Sequence, residues 1–263
     1  MNRLSKYYVI ARIHVQNAFN YRANVVSGLL FYTLFIFVFF SLWQAIYQEG
    51  SVSGYTHGQV VWYLIVTELV VFGCRMPIVG QINEDVKTGS MAYLLNRPVH
   101  YIAYQAAAAV GRVLVNLLFF GLLATVLGLL FVGPIPNFQW KGIPFMLLSA
   151  LLGVTLQFFS LTAIGLTAFR LEDNSAIYLI FQKLVFMLGV FLPLEFLPDW
   201  LQGIAKVLPF SYVAWGPAKL FVSFSWALFW QIVPMQFMWI GIAVTISLIM
   251  YRGGMRNLQM NGG

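Results

Sequence analysis

The stretch NVVSGLLFYTLFIFVFFSLWQAI, Asn24–Ile46, contains no charged residue. A helix that crosses the hydrocarbon core of a bilayer needs about 20 predominantly apolar residues. Because the stretch is longer than that and holds only scattered polar side chains, it predicts a transmembrane helix. Runs of the same kind recur along the chain.

The composition of the whole chain excludes a water-soluble fold. Of its 263 residues, 60% are hydrophobic and 9% are charged, whereas soluble domains carry about 25% charged residues. The net charge of +7 would suit nucleic-acid binding, but the cations flank apolar runs, as in membrane proteins. We therefore expect membrane lipid, and no nucleic acid, as a partner. Cys74 is the single cysteine, which excludes an internal disulfide and a cysteine metal site.

Six apolar runs are long enough to span a membrane. They predict an all-α membrane protein with six transmembrane helices in a single domain, residues 1–263. No soluble domain and no long linker interrupts the runs. The predicted spans are residues 24–46, 59–79, 106–132, 142–169, 175–194 and 228–250.

Lysine and arginine are distributed unevenly between the two sides of this arrangement. With the N-terminus inside, the outer side keeps only Lys141, Lys206 and Lys219. Positive residues favour the cytoplasmic side, so we expect both termini in the cytoplasm and the protein in the plasma or inner membrane. Residues 1–22 alternate apolar and polar side chains, which predicts a helix that lies in the inner interface.

A short amphipathic helix, Glu84–Asn96, is predicted on the inner surface between the second and third spans. Its apolar residues recur at helical spacing on one face, a glycine marks its start or a bend, and a proline stops it. One interpretation is a loop helix that packs on headgroups. The other is a lever that inserts into a groove on a cytosolic protein and transmits its movement. The residues that set this pattern are Gly89, Met91, Leu94, Leu95 and Pro98.

The outer segment 193–219 is too apolar for an aqueous loop, yet four prolines interrupt it and its borders. It also contains Glu195, Asp199 and Lys206. A broken, partly polar segment cannot cross lipid with its backbone satisfied. We expect it to enter the membrane and return on the same side.

Two charged residues fall inside the second predicted span. A charge at the middle of the bilayer costs roughly 2.5–3.5 kcal/mol on insertion scales, so Glu68 and Arg75 must face protein or water. Their offset of seven residues is about 10 Å along a helix, so we do not expect direct contact. Either they belong to a substrate path or gate, or each fixes packing between helices. The full set of pathway candidates is Glu68, Arg75, Asn116, Gln157, Phe186, Phe191 and Glu195.

The sequence lacks the motifs of several enzyme classes. No Gly-x-x-x-x-Gly-Lys-Ser/Thr loop occurs, so ATP-driven work requires a separate ATPase subunit. The histidines are scattered without carboxylates at ligand spacing, and we expect no metal site. The paired acids Glu84-Asp85 and Glu172-Asp173 do not face each other on a helix, which argues against a catalytic dyad. We therefore predict no catalytic residues and no enzyme.

Three motifs resemble permeases of type-2 ABC exporters, in the branch that pairs small six-span permeases with a cytosolic ATPase. The segment VKTGSMAYLLNRPVHYIAY is similar to the family's Gly…Leu-Leu-x-Arg-Pro motif after the second span, with Ser90 where members often have an acid. NYRANVVSGLL, Asn20–Leu30, resembles the entry to the first span. PLEFLPDWLQGIAKVLPFSY, Pro193–Tyr212, is similar to the outer segment before the last span.

The resemblance implies a permease half-transporter. Glu84–Asn96 would be the coupling helix, residues 1–22 the elbow helix, and residues 193–219 a re-entrant helical pair. The partners would be a cytosolic ABC ATPase, which uses ATP and Mg, and a second permease chain, identical or related. The chain itself would bind no cofactor. The coupling residues would be Glu84, Asp85, Lys87, Gly89, Met91, Tyr93, Leu94, Leu95, Arg97 and Pro98.

The sequence leaves several functions open. The leading hypothesis is export of a hydrophobic natural product, drug or lipid through a pathway between two permease chains. Export of a lipid-linked glycan suits an apolar, aromatic pathway equally. A membrane scaffold or assembly factor would show no dependence on nucleotide. An intramembrane enzyme is the weakest alternative, because no nucleophile and base converge.

Overall fold

The computed structural model of the protein describes residues 3–20, 22–47, 54–91, 99–135, 138–171 and 173–261. These residues form helices and no β-strand. Short 3-10 turns join some of them. The helices are α1 Arg3–Asn20, α2 Arg22–Tyr47, α3 His57–Gly73, α4 Ile78–Lys87, α5 Tyr101–Phe131, α6 Ile143–Leu166, α7 Ser175–Val185, α8 Asp199–Val207, α9 Ser211–Val222 and α10 Trp226–Asn261.

Five helical stretches are long and apolar enough to cross a membrane, and they coincide with the first four predicted spans and the sixth. Their outward faces are apolar, as a lipid environment requires; on α2, for example, Leu30, Phe31 and Leu34 are exposed. The stretches are Val25–Tyr47, His57–Lys87, Tyr101–Phe131, Trp140–Phe169 and Trp226–Arg256.

The predicted fifth span, residues 175–194, is shorter in the structure. It comprises α7 and a π-helical turn, Phe186–Val190, in which the amide of Phe191 donates to the carbonyl of Phe186. The combined helix Ser175–Val190 lacks the length of the other five. Pro193 follows closely and offers no N–H to extend the ladder, so the apolar run continues as turn rather than helix.

The predicted second span, residues 59–79, is not one continuous helix. Thr56 and Gln59 form a capping box at the start of α3, but α3 ends at Gly73 and α4 begins at Ile78. The break is explained by Pro77, which lacks an N–H and disfavours helical dihedrals in the preceding residue. α4 is therefore a separate element that can lie at its own angle.

α3 lies at the centre of the bundle and packs against α2, α5 and α9, while α6 packs against α4, α9 and α10. Glycines permit the closest approaches between helices. A Cβ on Gly153 would lie 2.5 Å from the carbonyl oxygen of Val213, and one on Gly111 would lie 2.4 Å from that of Ala11. α1 is held against α5 in this way.

The buried apolar residues form two clusters. The larger surrounds α3 and α9 and includes Tyr63 and Trp215. The smaller contains Ile78, Ile82 and Tyr101 and lies where α4 meets the start of α5, which we call the α4 end. The opposite end is where α3 begins and α5 stops; there the indole of Trp62 donates to the carbonyl of Gly133.

Candidate functional site

α4 is tied to the start of α5 by buried polar contacts. The hydroxyl of Tyr101 donates to Asp85 Oδ2 at 2.6 Å, and Gln105 Nε2 donates to the same hydroxyl oxygen at 3.0 Å. The ring of Tyr101 also stacks on Tyr251 of α10, with their planes 7° apart. Asp85 therefore fixes α4 rather than facing solvent.

Two further contacts hold α4 to its neighbours. Arg112 Nη2 of α5 donates to Gln81 Oε1 at 3.2 Å. Ile82 lies against Gly165 of α6 so closely that a Cβ there would sit 2.8 Å from Ile82 Cδ1. α4 thus contacts α5 and α6 on its buried side.

The chain after α4 turns within the segment predicted as the helix Glu84–Asn96, at the glycine for which the sequence predicts a helix start or a bend. Glu84, Asp85 and Lys87 form the last part of α4, and the chain then turns at Gly89, whose φ is +71°. This turn requires glycine, because other residues rarely adopt positive φ. Helical conformation resumes at Ser90.

The predicted coupling residues have different surroundings. Glu84 and Lys87 are exposed, whereas Met91 is 0% exposed and belongs to the smaller apolar cluster. The sequence places Met91 on the apolar face of the predicted coupling helix, and in the structure this side chain packs into the chain's own core. Tyr93, Leu94, Leu95, Arg97 and Pro98 lie outside the described residues.

Three of the pathway candidates line one cleft between α3, α6 and α7, of about 250 Å³, which we call the α3–α7 cleft. These are Arg75, Gln157 and Phe186. Arg75 is exposed, and none of the described residues that line the cleft is acidic. Gln157 Oε1 is buried without a hydrogen-bond partner among the described residues. The remaining lining residues are Val71, Phe72, Met76, Leu161, Tyr178, Phe181, Gln182 and Val185.

The other candidates lie elsewhere. Glu68 is 2% exposed, and its Oε1 has no hydrogen-bond partner among the described residues. It lies on α3 but does not line the cleft, whereas Arg75 lies in the break between α3 and α4. Asn116 is half-buried on α5.

Phe186 and Phe191 belong to an aromatic ladder that joins α2 to the segment after α7. Phe186 packs against Phe35, Phe191 against Phe39 and Phe196 against Trp43, with ring centroids 6.4, 5.7 and 5.4 Å apart. The partners on α2 recur every four residues, one turn of a helix. The ladder starts beside the α3–α7 cleft and extends towards the opposite end of the bundle.

Glu195 lies at that opposite end in a charged cluster with Tyr55 and Lys219. Lys219 Nζ is 2.9 Å from Glu195 Oε1, and the Tyr55 hydroxyl donates to Glu195 Oε2 at 2.8 Å. Lys219 also donates to the Tyr55 hydroxyl and lies 4.4 Å from the ring centroid. Burial alone would raise the pKa of Glu195, but the hydrogen bond and charge of Lys219 outweigh it and hold that pKa below its ordinary value. Glu195 thus belongs to the cluster with Tyr55 and Lys219 and does not line the α3–α7 cleft.

Sequence reasoning missed several partners. Tyr178 and Gln182 form a hydrogen bond in the cleft, from Gln182 Nε2 to the Tyr178 hydroxyl at 2.7 Å, and their i, i+4 spacing could have revealed it. No local signal links Glu195 with Tyr55, because 140 residues separate them.

The five long apolar helices and their apolar outer faces define a multi-pass membrane protein. The family model described as "ABC-2 family transporter protein" matches residues 12–262, nearly the whole chain. The chain therefore belongs to the ABC-2 transporter family and is a transport permease subunit, a class that works with an ATPase subunit. A comparison with curated proteins found no match.

Proposed function

We propose that this chain is the membrane-spanning subunit of an ATP-driven exporter in the plasma or inner membrane. The whole chain forms one permease domain, with the α4 end and both termini in the cytoplasm. The bias of lysine and arginine supports this orientation. In this arrangement α1 is the elbow helix in the inner interface, and α7 with the turn after it completes a sixth, shortened crossing. Residues 193–219, which include α8 and α9, enter from the outer side and return.

The observation that carries the proposal is the attachment of α4. Asp85, Gln81 and Ile82 join it to α5 and α6, while Glu84 and Lys87 stay exposed on its free side. A cytosolic ATPase that binds the exposed side, together with residues 92–98, would move α4 and with it two long helices. ATP and Mg would be bound by that ATPase, and this chain would supply no covalent chemistry.

We assign the substrate path to the α3–α7 cleft and the aromatic ladder. Among the described residues, Arg75 has no acidic partner in the cleft and Gln157 Oε1 has no hydrogen-bond partner. The ladder offers an apolar, polarisable surface. This combination suits a hydrophobic or amphipathic compound, including a lipid, whose polar part lies near Arg75. The exposed side of α7 and of the π-helical turn after it, with Leu179, Ile180 and Met187, suits a second permease chain, identical or related, that closes the path.

The test is a measurement of access to the cleft. In a Cys74→Ala background, Gln182→Cys places a single thiol in the cleft, and Arg252→Cys places a matched thiol at an exposed site on α10 at the same end. Inside-out vesicles that retain the native partner proteins are treated with a membrane-impermeant maleimide, with and without ATP, Mg and vanadate. We expect the thiol at 182 to be labelled without nucleotide and protected about fivefold or more when ATP is trapped, since closure excludes water from the path.

The control thiol at position 252 should be labelled equally in both conditions. Equal labelling at 182 with and without trapped nucleotide would contradict the exporter function. It would favour a membrane scaffold, which has no reason to respond to ATP.

A further inference from the structure

A second and larger cavity, of about 580 Å³, lies between α3, α5 and α6. Its lining is almost entirely apolar; the polar side chains in it are those of Cys74, Thr125 and Thr155. It shares only Met76 with the α3–α7 cleft and lies on the other side of α3. It is therefore a separate site, which the proposed substrate path does not use.

Small side chains and diverging helices create this cavity. α5 packs on α3, whereas α6 packs on α9 and α10, so the two helices separate in front of α3. Where larger residues would fill the gap, the lining has small ones. These are Ala106, Ala109, Gly121 and Ala124 on α5 and Ala150 on α6.

The cavity opens sideways, towards lipid. Val110 and Leu114 on α5 and Leu147 and Leu151 on α6 line it, and each is between 52% and 63% exposed. These residues lie within long apolar helices of a membrane protein, so their exposed faces meet acyl chains. The opening between them leads from the bilayer interior into the cavity.

The dimensions fit an extended hydrocarbon chain. The cavity follows α6 from Met146 to Phe159, which is about 20 Å along a helix at 1.5 Å per residue. One leaflet of the hydrocarbon core is about 15 Å thick. Left empty, the cavity would lose the dispersion contacts of its lining, and water would find few polar partners in it.

We propose that this cavity binds an acyl chain of a membrane lipid, which enters laterally between α5 and α6. The headgroup stays outside, because none of the described lining residues carries a charge. The bound chain completes the packing between the three helices and holds them apart at a fixed distance.

The experiment uses the full chain in vesicles of phosphatidylethanolamine and phosphatidylglycerol. A trace of phosphatidylcholine carries a diazirine at the end of one acyl chain. After photolysis, adducts are mapped by peptide mass spectrometry. We expect them to concentrate on the α5 and α6 residues that line the cavity, such as Ala109, Val113 and Val154.

Two variants that fill the cavity and one matched control variant test whether the adducts depend on the cavity. Gly121→Leu and Ala150→Phe should each lower the cavity adducts by about fivefold, because a larger side chain occupies the space. Gly241→Leu on α10 should leave them unchanged. A Cβ at either Gly121 or Gly241 meets no atom within 4 Å, so neither substitution creates a clash at its Cβ.

Two results would overturn the proposal. One is adduct formation spread evenly over the exposed faces of α2, α5, α6 and α10 and unaffected by the filling variants. The other is loss of a permease–permease complex in the filling variants with unchanged lipid adducts, which would make the cavity a protein interface.

Discussion

Removing the carboxylate of Glu195 should destabilise the end of the bundle opposite α4. Glu195→Gln keeps the size of the side chain but leaves Lys219 without its counter-ion. The Lys219 side chain is only 11% exposed, whereas that of Glu195 is 29% exposed. The free-energy cost of the substitution should therefore lie between that of breaking a fully buried ion pair and that of losing a surface pair.

The magnitude follows from that intermediate exposure. Breaking a buried pair costs about 3–5 kcal/mol, and an exposed pair contributes about 0–1 kcal/mol. Lys219 also retains the Tyr55 hydroxyl and ring. We expect a loss of about 2 kcal/mol in the free energy of unfolding, which corresponds to a Tm lower by roughly 4–8 °C for a domain of this size.

The assay is thermal unfolding of the purified protein in mild detergent, in a double-mutant cycle with Lys219→Met. Each single variant should unfold earlier, and the double variant should lose less than the sum of the two, because it leaves no unpaired charge. Glu84→Gln, at an exposed glutamate of α4, should leave the Tm unchanged. Additive effects in the cycle would refute the pairing of Glu195 with Lys219.

Three further predictions concern the pH dependence of this pair and two other contacts. Because the pKa of Glu195 lies below its ordinary 4.5, the pair with Lys219 stabilises the fold above that pH, and this stabilisation is lost as the pH falls below it. The Tm difference between the unaltered chain and Glu195→Gln should therefore shrink at low pH. A constant difference would contradict an ionised Glu195 in the pair. Gly153→Ala places a Cβ 2.5 Å from a backbone oxygen and should cost about 1–3 kcal/mol of stability. Gly121→Ala, in open space, should instead stabilise by a few tenths to about 1 kcal/mol. Denaturant titration measures both free energies of unfolding, and equal effects would refute the close approach of α6 to α9 at Gly153. Tyr101→Phe removes the hydroxyl that donates to Asp85 and should lower the free energy of unfolding by about 1–3 kcal/mol. It should also reduce the ATP-dependent protection of the thiol at position 182. Unchanged protection would show that α4 does not act through α5.

The membrane character and the positions of the long helices are predictable from the sequence. A charge-free run such as Asn24–Ile46 has one stable environment, and its length sets its ends within a few residues. The short elements are harder to predict, because hydropathy does not register a local backbone break. Pro77 divides the second run into α3 and α4, and a π-turn with Pro193 shortens the fifth helix.

The candidate site was predictable only in part. The rarity of polar groups in apolar runs identified Arg75 and Gln157, which the structure brings into one cleft with Phe186. The same rule selected Glu195. In the structure this residue forms an ion pair with Lys219 of α9 and does not line the cleft. Periodicity identified the apolar face of the inner segment but could not show that Met91 points into the protein's own core.

We propose above that the exposed side of α4 binds a cytosolic ATPase. The most direct measurement is affinity purification of the tagged chain from its native membrane in mild detergent, followed by mass spectrometry. Lys87→Glu reverses the charge of an exposed lysine on α4, and Lys141→Glu makes the same change at an exposed lysine at the opposite end. Leu94→Asp adds a second variant in the same inner segment.

We expect a P-loop ATPase to accompany the unaltered chain and the Lys141→Glu variant. Lys87→Glu and Leu94→Asp should lower its recovery by about tenfold or more, since a misplaced charge at an interface costs several kcal/mol. If no ATPase accompanies the unaltered chain, or if Lys87→Glu and Leu94→Asp retain it as well as Lys141→Glu does, the exposed side of α4 is not the coupling surface.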